Sequence, residues 1–417
     1  MTKMKDSGVE WIGQIPEDWT LPKVKNLFNI GRGRVIAQTE LDDDGKYPVY
    51  SSQTQNDGCL GYINSYDFDV DQLTWTTDGA NAGTVFLRTG KHNCTNVCGT
   101  LQQKNNDNSL KYLKYALEFI AIYHKRADTN GFKIMNNEMA EIIIPVPSLN
   151  IQKKIADFLD KKCGEIDRLI EIQEQEIEKL KEYKTSVITK AVTKGLDDSV
   201  PMKDSGNMFL GKVPLHWKVN RVKFFADNFS KGNGITKEEI VIDGDSPCVR
   251  YGEIYTKYEI AFNQCLTRTN KDKFKALQYC SYGDILFSCT GELVEEIGKN
   301  IVYLGNEQCL AGGYIIVMKH SQNPLFMSYS LNSSVSQVQK SYGKAKLKVV
   351  HISAFDISNI YITIPPIKEQ NDIVNYLDIR CQNIDKTILL KHQKIEKLQE
   401  YKKSLIYEYV TGKKEVV

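Results

Sequence analysis

One segment is written twice in this chain, and that constrains the fold more than any other feature. Residues 148–193 and 366–411 correspond at an offset of 218. The first runs through "IADFLDKKCGEID" to "EIEKLKEYKTSVITKAVT", the second through "IVNYLDIRCQNID" to "KIEKLQEYKKSLIYEYVT". A shorter pair opens each half, "MKDSGVEWIGQIPEDW" at 4–19 and "MKDSGNMFLGKVPLHW" at 202–217, at an offset of 198. The chain is thus a tandem duplication of about 200 residues, with a larger insertion in the second half. Two long copies predict internal two-fold pseudosymmetry rather than a solenoid.

The long repeat carries helical heptad order. Steps of four and three from Leu159 pass through Cys163, Ile166, Ile170, Gln173, Ile177, Leu180, Lys184, Val187 and Ala191. The same steps from Leu377 pass through Cys381, Ile384, Ile388, Lys391, Ile395, Leu398, Lys402, Leu405 and Tyr409. Eight of ten seam positions are apolar in each copy, and the polar interruptions fall at the same two places. Such a narrow stripe of period 3.5 marks a coiled coil rather than a core-packed helix. Prolines at 145 and 147, and at 365 and 366, suit the two helix starts. The pattern predicts two rods of about 50 Å, at ~1.5 Å per residue, that zip together antiparallel within one molecule. The competing arrangement buries each helix on its own domain alone.

Segments 21–143 and 219–361 are mutually dissimilar in sequence and rich in Gly, Asn, Asp and Thr. Short strand-like runs at 73–76, 84–87, 284–288 and 314–318, with a helical stretch at 110–124, predict α+β domains. The fold class expected is therefore α+β: two globular domains separated by a pair of long antiparallel coiled-coil helices, with an internal pseudo-two-fold repeat.

Composition narrows function chiefly by what is missing. A net charge of +2 is uninformative, because a nucleic-acid binder needs a local basic face, not a basic total. The ten cysteines form no CxxC pair, and no apolar run approaches the ~18 residues of a membrane span. Free thiols without an export signal predict a reducing, cytoplasmic setting. His92, Cys94 and Cys98 fit no common zinc spacing, so no metal site is expected. Neither Gly31-Arg32-Gly33 nor Gly232-Asn233-Gly234 completes a dinucleotide fingerprint, and Gly298-Lys299 lacks the rest of a phosphate loop. No catalytic residue and no cofactor site are expected in this chain. A duplicated scaffold carrying unlike inserts suits duplex DNA, whose half-sites recur about every 34 Å on one face. A coiled-coil adaptor that binds proteins without reading DNA is the alternative.

The repeat motif resembles that of the specificity subunit of Type I restriction–modification systems. The matching residues are Pro147, Gln152, Ile155, Leu159, Asp160, Ile166, Asp167, Leu180 and Tyr183. Their second copies are Pro365, Gln370, Ile373, Leu377, Asp378, Ile384, Asp385, Leu398 and Tyr401. The first copy has Ile151 where the family commonly has Glu. The resemblance covers essentially the whole chain. It implies target-recognition domains at 1–146 and 197–364, followed by spacer helices at 147–196 and 365–417. Each domain would read one half of a bipartite, asymmetric DNA sequence, and the helices would set the gap. The helices would also dock two copies of a DNA adenine methyltransferase carrying S-adenosylmethionine. ATP- and magnesium-dependent restriction subunits would join that core.

Phosphate contacts need Lys, Arg and backbone amides, and base readout needs side chains at base edges. Residues 20–145 hold 13 Lys and Arg against 14 Asp and Glu, and 218–363 hold 17 against 14, so any basic face must arise by segregation. In the first domain the candidates are Arg32 and Arg34; Ser51, Ser52, Gln53 and Gln55; Asp78 and Asn81; and Arg126 and Lys133. In the second they are Lys231, Asn233, Arg250, Arg268, Ser288 and Thr290, with the lysine cluster Lys344, Lys346 and Lys348. The expected seam comprises Leu159, Ile166, Ile170, Ile177, Leu180 and Val187 with Leu377, Ile384, Ile388, Ile395, Leu398 and Leu405.

Overall fold

The two repeats form single helices in the computed structural model, Leu149–Lys194 and Ile367–Val410. The structure describes residues 3–129, 131–344 and 350–416. Two compact units emerge: 1–174 with 392–417, and 175–391. Each unit holds one globular domain, termed a reader after the role that the resemblance implies, with part of the helix that follows it and part of the other helix.

Within each unit the helices run antiparallel. In the first, Asp167 pairs with Lys402 (2.7 Å) and the Phe158 ring packs on Tyr409 with centroids 4.5 Å apart. In the second, Lys184 pairs with Asp385 (2.7 Å) and Lys391 with Glu176 (2.5 Å). Every predicted seam residue is buried or half-buried. The interrupting lysines 184, 391 and 402 each carry a carboxylate partner from the opposite helix. An unpaired charge in a seam is costly, and a paired one favours a single register. Lys184 also bonds Glu259 of its reader (3.0 Å). Burial opposes its charge, yet the carboxylates of Asp385 and Glu259 outweigh that and lift its pKa.

The seam does not exclude packing on the readers; both occur. Ile155, Leu159, Cys163 and Ile166 join the core of the first reader together with Leu405, Ile406 and Val410. Ile373, Val374, Leu377 and Cys381 join the core of the second together with Ile188, Ala191 and Val192. The two units share several bonds at equivalent positions. Tyr115 donates to Asp160 (2.9 Å) as Tyr329 does to Asp378 (2.8 Å). Buried Gln152 accepts from the Ser109 amide and donates to the Pro147 carbonyl. Gln370 does the same with Asn323 and Pro365. This explains why a glutamine opens each copy: its amide ties the helix start to the reader.

The short repeat forms matching hairpins, Met4–Asp6 with Gln14–Pro16 and Met202–Asp204 with Lys212–Pro214. Each covers a helix C-terminus, but of different origin. Lys194 donates to the Leu210 carbonyl (3.1 Å) directly after its own helix, whereas Lys413 reaches back to Ile12 (3.1 Å) at the opposite end of the chain. Gly195 and Gly412 close their helices with positive φ of 82° and 67°. A Cβ on Gly412 would lie 2.4 Å from Pro16.

The readers share one topology despite their unlike sequences. The first has a sheet ordered Phe28–Arg32, Cys98–Gln103, Gln72–Thr76, Val85–Arg88. The second repeats it as Ala226–Lys231, Ile315–His320, Ile285–Ser288, Asn300–Tyr303, extended by Ala261–Phe262. A second sheet in each has one parallel pair flanked by antiparallel strands. The parallel pair is Tyr47–Tyr50 with Lys91–Cys94 in one, and Ser246–Val249 with Cys309–Ala311 in the other. No helix among the described residues is long and apolar enough to cross a membrane.

Candidate nucleic-acid interface

In the first reader three separated segments meet in a small sheet: Arg126–Asp128, Gly131–Lys133 and Asp78–Gly79. The register sets Lys133 beside Arg126 on one side and Asp78 on the other, so three predicted residues come together. Arg32 reaches the segment just beyond, donating to Asn136 (3.1 Å). Asn81 donates to Thr54 (3.2 Å) and so links this sheet to the exposed loop carrying Gln55. Ser51 accepts from Thr95 (3.2 Å), and Ser52 lies half-buried beside it. The Gln53 amide donates to the Cys59 carbonyl and closes that loop on itself.

Apart from Arg32, the predicted cations of this reader carry acid partners. Arg126 bonds Glu138 (2.7 Å), and Lys133 bonds Asp128 (2.5 Å) and depresses its pKa. Arg34 sits apart, held by Glu40 (2.9 Å) and Asp67 (3.1 Å), and its own pKa is raised, chiefly by Glu40. These pairs are exposed or half-buried at the surface, where an ion pair is weak enough for a phosphate to compete for the cation.

The second reader builds the corresponding place from Thr290–Gly291 paired with Val350–His351. Thr290 is buried opposite His351. Ser288 is fully buried and donates to the Thr290 carbonyl (2.8 Å), so it shapes this turn from within. Asn233 is likewise structural: it donates to the Ala276 carbonyl and accepts from the Gln278 amide (2.6 Å). Arg268 donates to the Gly244 carbonyl (2.7 Å), and Arg250 pairs with Glu253 (3.4 Å). Lys344 donates to the His351 carbonyl (2.9 Å) and to Asp356 (3.4 Å). Lys231 ends its strand exposed. Lys346 and Lys348 lie outside the described residues.

Two buried cations escaped sequence reasoning. Arg88 ends the apolar run "VFLR", and Lys340 lies in the polar helix Ser334–Ser341, where nothing marks it as internal. Lys340 is wholly buried and donates to the Gly298 carbonyl (2.7 Å) and to Asn300 (3.2 Å).

Comparison with known proteins accords with this twice-built arrangement. The family model for the Type I restriction modification DNA specificity domain matches residues 16–182 and again 214–400. A type I specificity subunit fragment of Mycoplasma pneumoniae is 43% identical over 139 residues, 33% of this chain and 74% of that protein. The MjaVIII specificity subunit of Methanocaldococcus jannaschii is 26% identical over 96% of this chain and 94% of its own. Other relatives in the Mycoplasma are spanned over less of their length, 62% in one and 44% in another. A solved chain described under complex assembly and conformational transition of the type I R-M system superposes with a TM-score of 0.69. It covers 95% of this chain and 99% of its own at 13% identity, which shows the fold alone.

Proposed function

Since the chain belongs to the Type I restriction–modification DNA specificity family, we propose that it is the sequence-reading subunit of such a complex and carries no catalysis of its own. Each reader takes one half of a split, asymmetric DNA sequence, and the antiparallel helices set the gap. The observation that carries this is the pairing of one reader topology, built twice, with unlike surface loops. A scaffold that repeats its bonds while its loops diverge presents two different recognition surfaces in equivalent settings.

Two copies of a DNA adenine methyltransferase would dock on the chain. In the first unit an open cleft of about 980 Å³, lined by Trp11, Phe119, Tyr123 and Tyr407 together with lysines and carboxylates in equal number, offers an aromatic surface of mixed charge for one of them. S-adenosylmethionine would sit on that partner, and ATP and magnesium on restriction subunits, in the cytoplasm.

The test is co-expression with a DNA adenine methyltransferase subunit of a Type I system from the same host, followed by mapping of methylated adenines in host DNA. The expected result is one split sequence that disappears when this chain is deleted. An unchanged methylation pattern refutes the proposal. A gel-shift titration against salt separates it from the adaptor alternative, since phosphate contacts impose a steep loss of affinity with added salt.

A further inference from the structure

The loop at 51–58 of the first reader is held in an unfavourable backbone by a residue beneath it. Asn56, Asp57 and Gly58 are successive left-handed residues, with φ of 50°, 52° and 76°. Asn and Asp enter that region more readily than other non-glycine residues, but two in succession before a left-handed glycine persist where the surroundings hold them. Residues 54–57 are exposed, so their own packing does not hold them.

Arg88 does. Its side chain is 1% exposed, sandwiched between the Tyr50 ring (3.6 Å to the centroid) and the Phe86 ring (4.3 Å). Nε donates to Thr74 (3.1 Å) and Nη1 to Asp57 (2.8 Å). Gly58 has a φ of 76°, which strains any L side chain, and a Cβ there would stand 2.8 Å from Nη2 and push the guanidinium aside. The Ser51 amide then donates to the Gly58 carbonyl (3.0 Å) and closes the ring.

As a stabilising device this is poor, because Arg88 is desolvated while its partner Asp57 stays 73% exposed. What it does secure is shape. Thr54, Gln55, Asn56 and Asp57 are displayed on a tip tied down by Arg88, and Asn81 joins that tip to the sheet of Asp78, Arg126 and Lys133. In the second reader the corresponding connection, between Ser246–Val249 and Thr267–Thr269, is longer and contains the helix Tyr251–Thr256.

We propose that Arg88 is the positioning residue for base recognition by the first reader, acting through the 53–58 loop, and that it governs one half-site only. This rests on the DNA-reading function proposed above. The experiment compares wild type, Arg88→Met and Asp57→Asn in two ways. Hydrogen exchange on the free chain follows amides 51–59. Methylation by the complex assembled with the methyltransferase is measured on duplexes bearing the wild-type split sequence and each of its single-base variants.

Both substitutions should speed exchange in 51–59. They should also lower discrimination in one half-site by about tenfold, the equivalent of one lost base contact, with the other half-site and the gap unchanged. Should Arg88→Met fail to fold, Asp57→Asn decides, because Asp57 is exposed and Asn tolerates left-handed backbone. Unchanged exchange, unchanged discrimination, or equal loosening of both half-sites overturns the proposal. Absence of any split-sequence methylation by wild type sinks the DNA-reading function instead, and the exchange rates then test the Arg88 brace independently of it.

Discussion

Lys340 should add to the second unit a contribution to stability that climbs with pH from the neutral into the alkaline range, opposite in sign to that of the buried cysteines, whose thiol pKa values burial raises. Its amine is fully buried with two neutral acceptors, and burial pushes its pKa from the ordinary 10.5 down to about 7. Below pH 7 the folded and unfolded chains both carry the proton, and folding bears the whole cost of burying the charge. Above 10.5 neither carries it and the cost vanishes. Between those limits the unfolded chain binds more protons, so stability rises with pH. From pH 6.5 to 9.5 the two pKa values give a gain of about 3 kcal/mol. Lys340→Met should abolish that gain. It also leaves the Gly298 carbonyl and Asn300 without their donor, at about 1–3 kcal/mol each. The variant should therefore rival wild type near pH 6.5 and fall behind it by pH 9.5. Urea unfolding of both chains across this range, taken as a difference so that shared titrations cancel, measures it. Parallel profiles for the two chains would refute a buried, easily neutralised amine.

Three further outcomes follow from the duplicated geometry. Leu159→Ala and Leu377→Ala remove fully buried, equivalent side chains and should each cost about 2–5 kcal/mol. Hydrogen exchange should locate the first loss in 1–174 with 392–417 and the second in 175–391; a uniform rise across the chain contradicts the two units. Lys184→Glu sets a carboxylate against Asp385 and Glu259, and adding Asp385→Lys should restore about 1 kcal/mol of it. A double-mutant cycle showing no coupling removes the register role of that pair. Inserting one heptad after Gln173 should change the gap tolerated between half-sites and leave both half-site sequences intact, as read by methylation mapping. An altered base preference instead would mean that the helices do not space the readers.

The helices were legible because their instruction is local. A stripe from Leu159 to Ala191 repeats every seven residues, and any seven-residue window announces it. The polar interruptions were legible as positions but not as partners, since Lys402 finds Asp167 and Lys184 finds Asp385 some 200 residues away. The readers' common topology was not legible at all. Runs such as "LTWT" and "ILFS" occupy equivalent strands buried on both faces, where little beyond apolar bulk or a neutral hydroxyl is required. Candidate binding residues divided for a related reason. Arg126, Lys133 and Asp78 were brought together by the sheet, whereas Asn233, Arg268 and Ser288 hold loops in shape. A polar side chain in a glycine-rich loop serves either end, and sequence does not say which backbone atoms pass within reach.

By itself the sequence determined that there are two of everything: two short opening repeats, two seams, two unlike domains between them. Duplication and heptad period are properties of the string, independent of how it folds. Only the tertiary structure decided how the copies are completed. The last helix is capped by the hairpin that begins the chain, and each reader's core takes in part of both helices. Strand partners and buried ion pairs are chosen by the free energy of contacts distant in sequence, where a carboxylate or a glycine counts by what comes to lie against it.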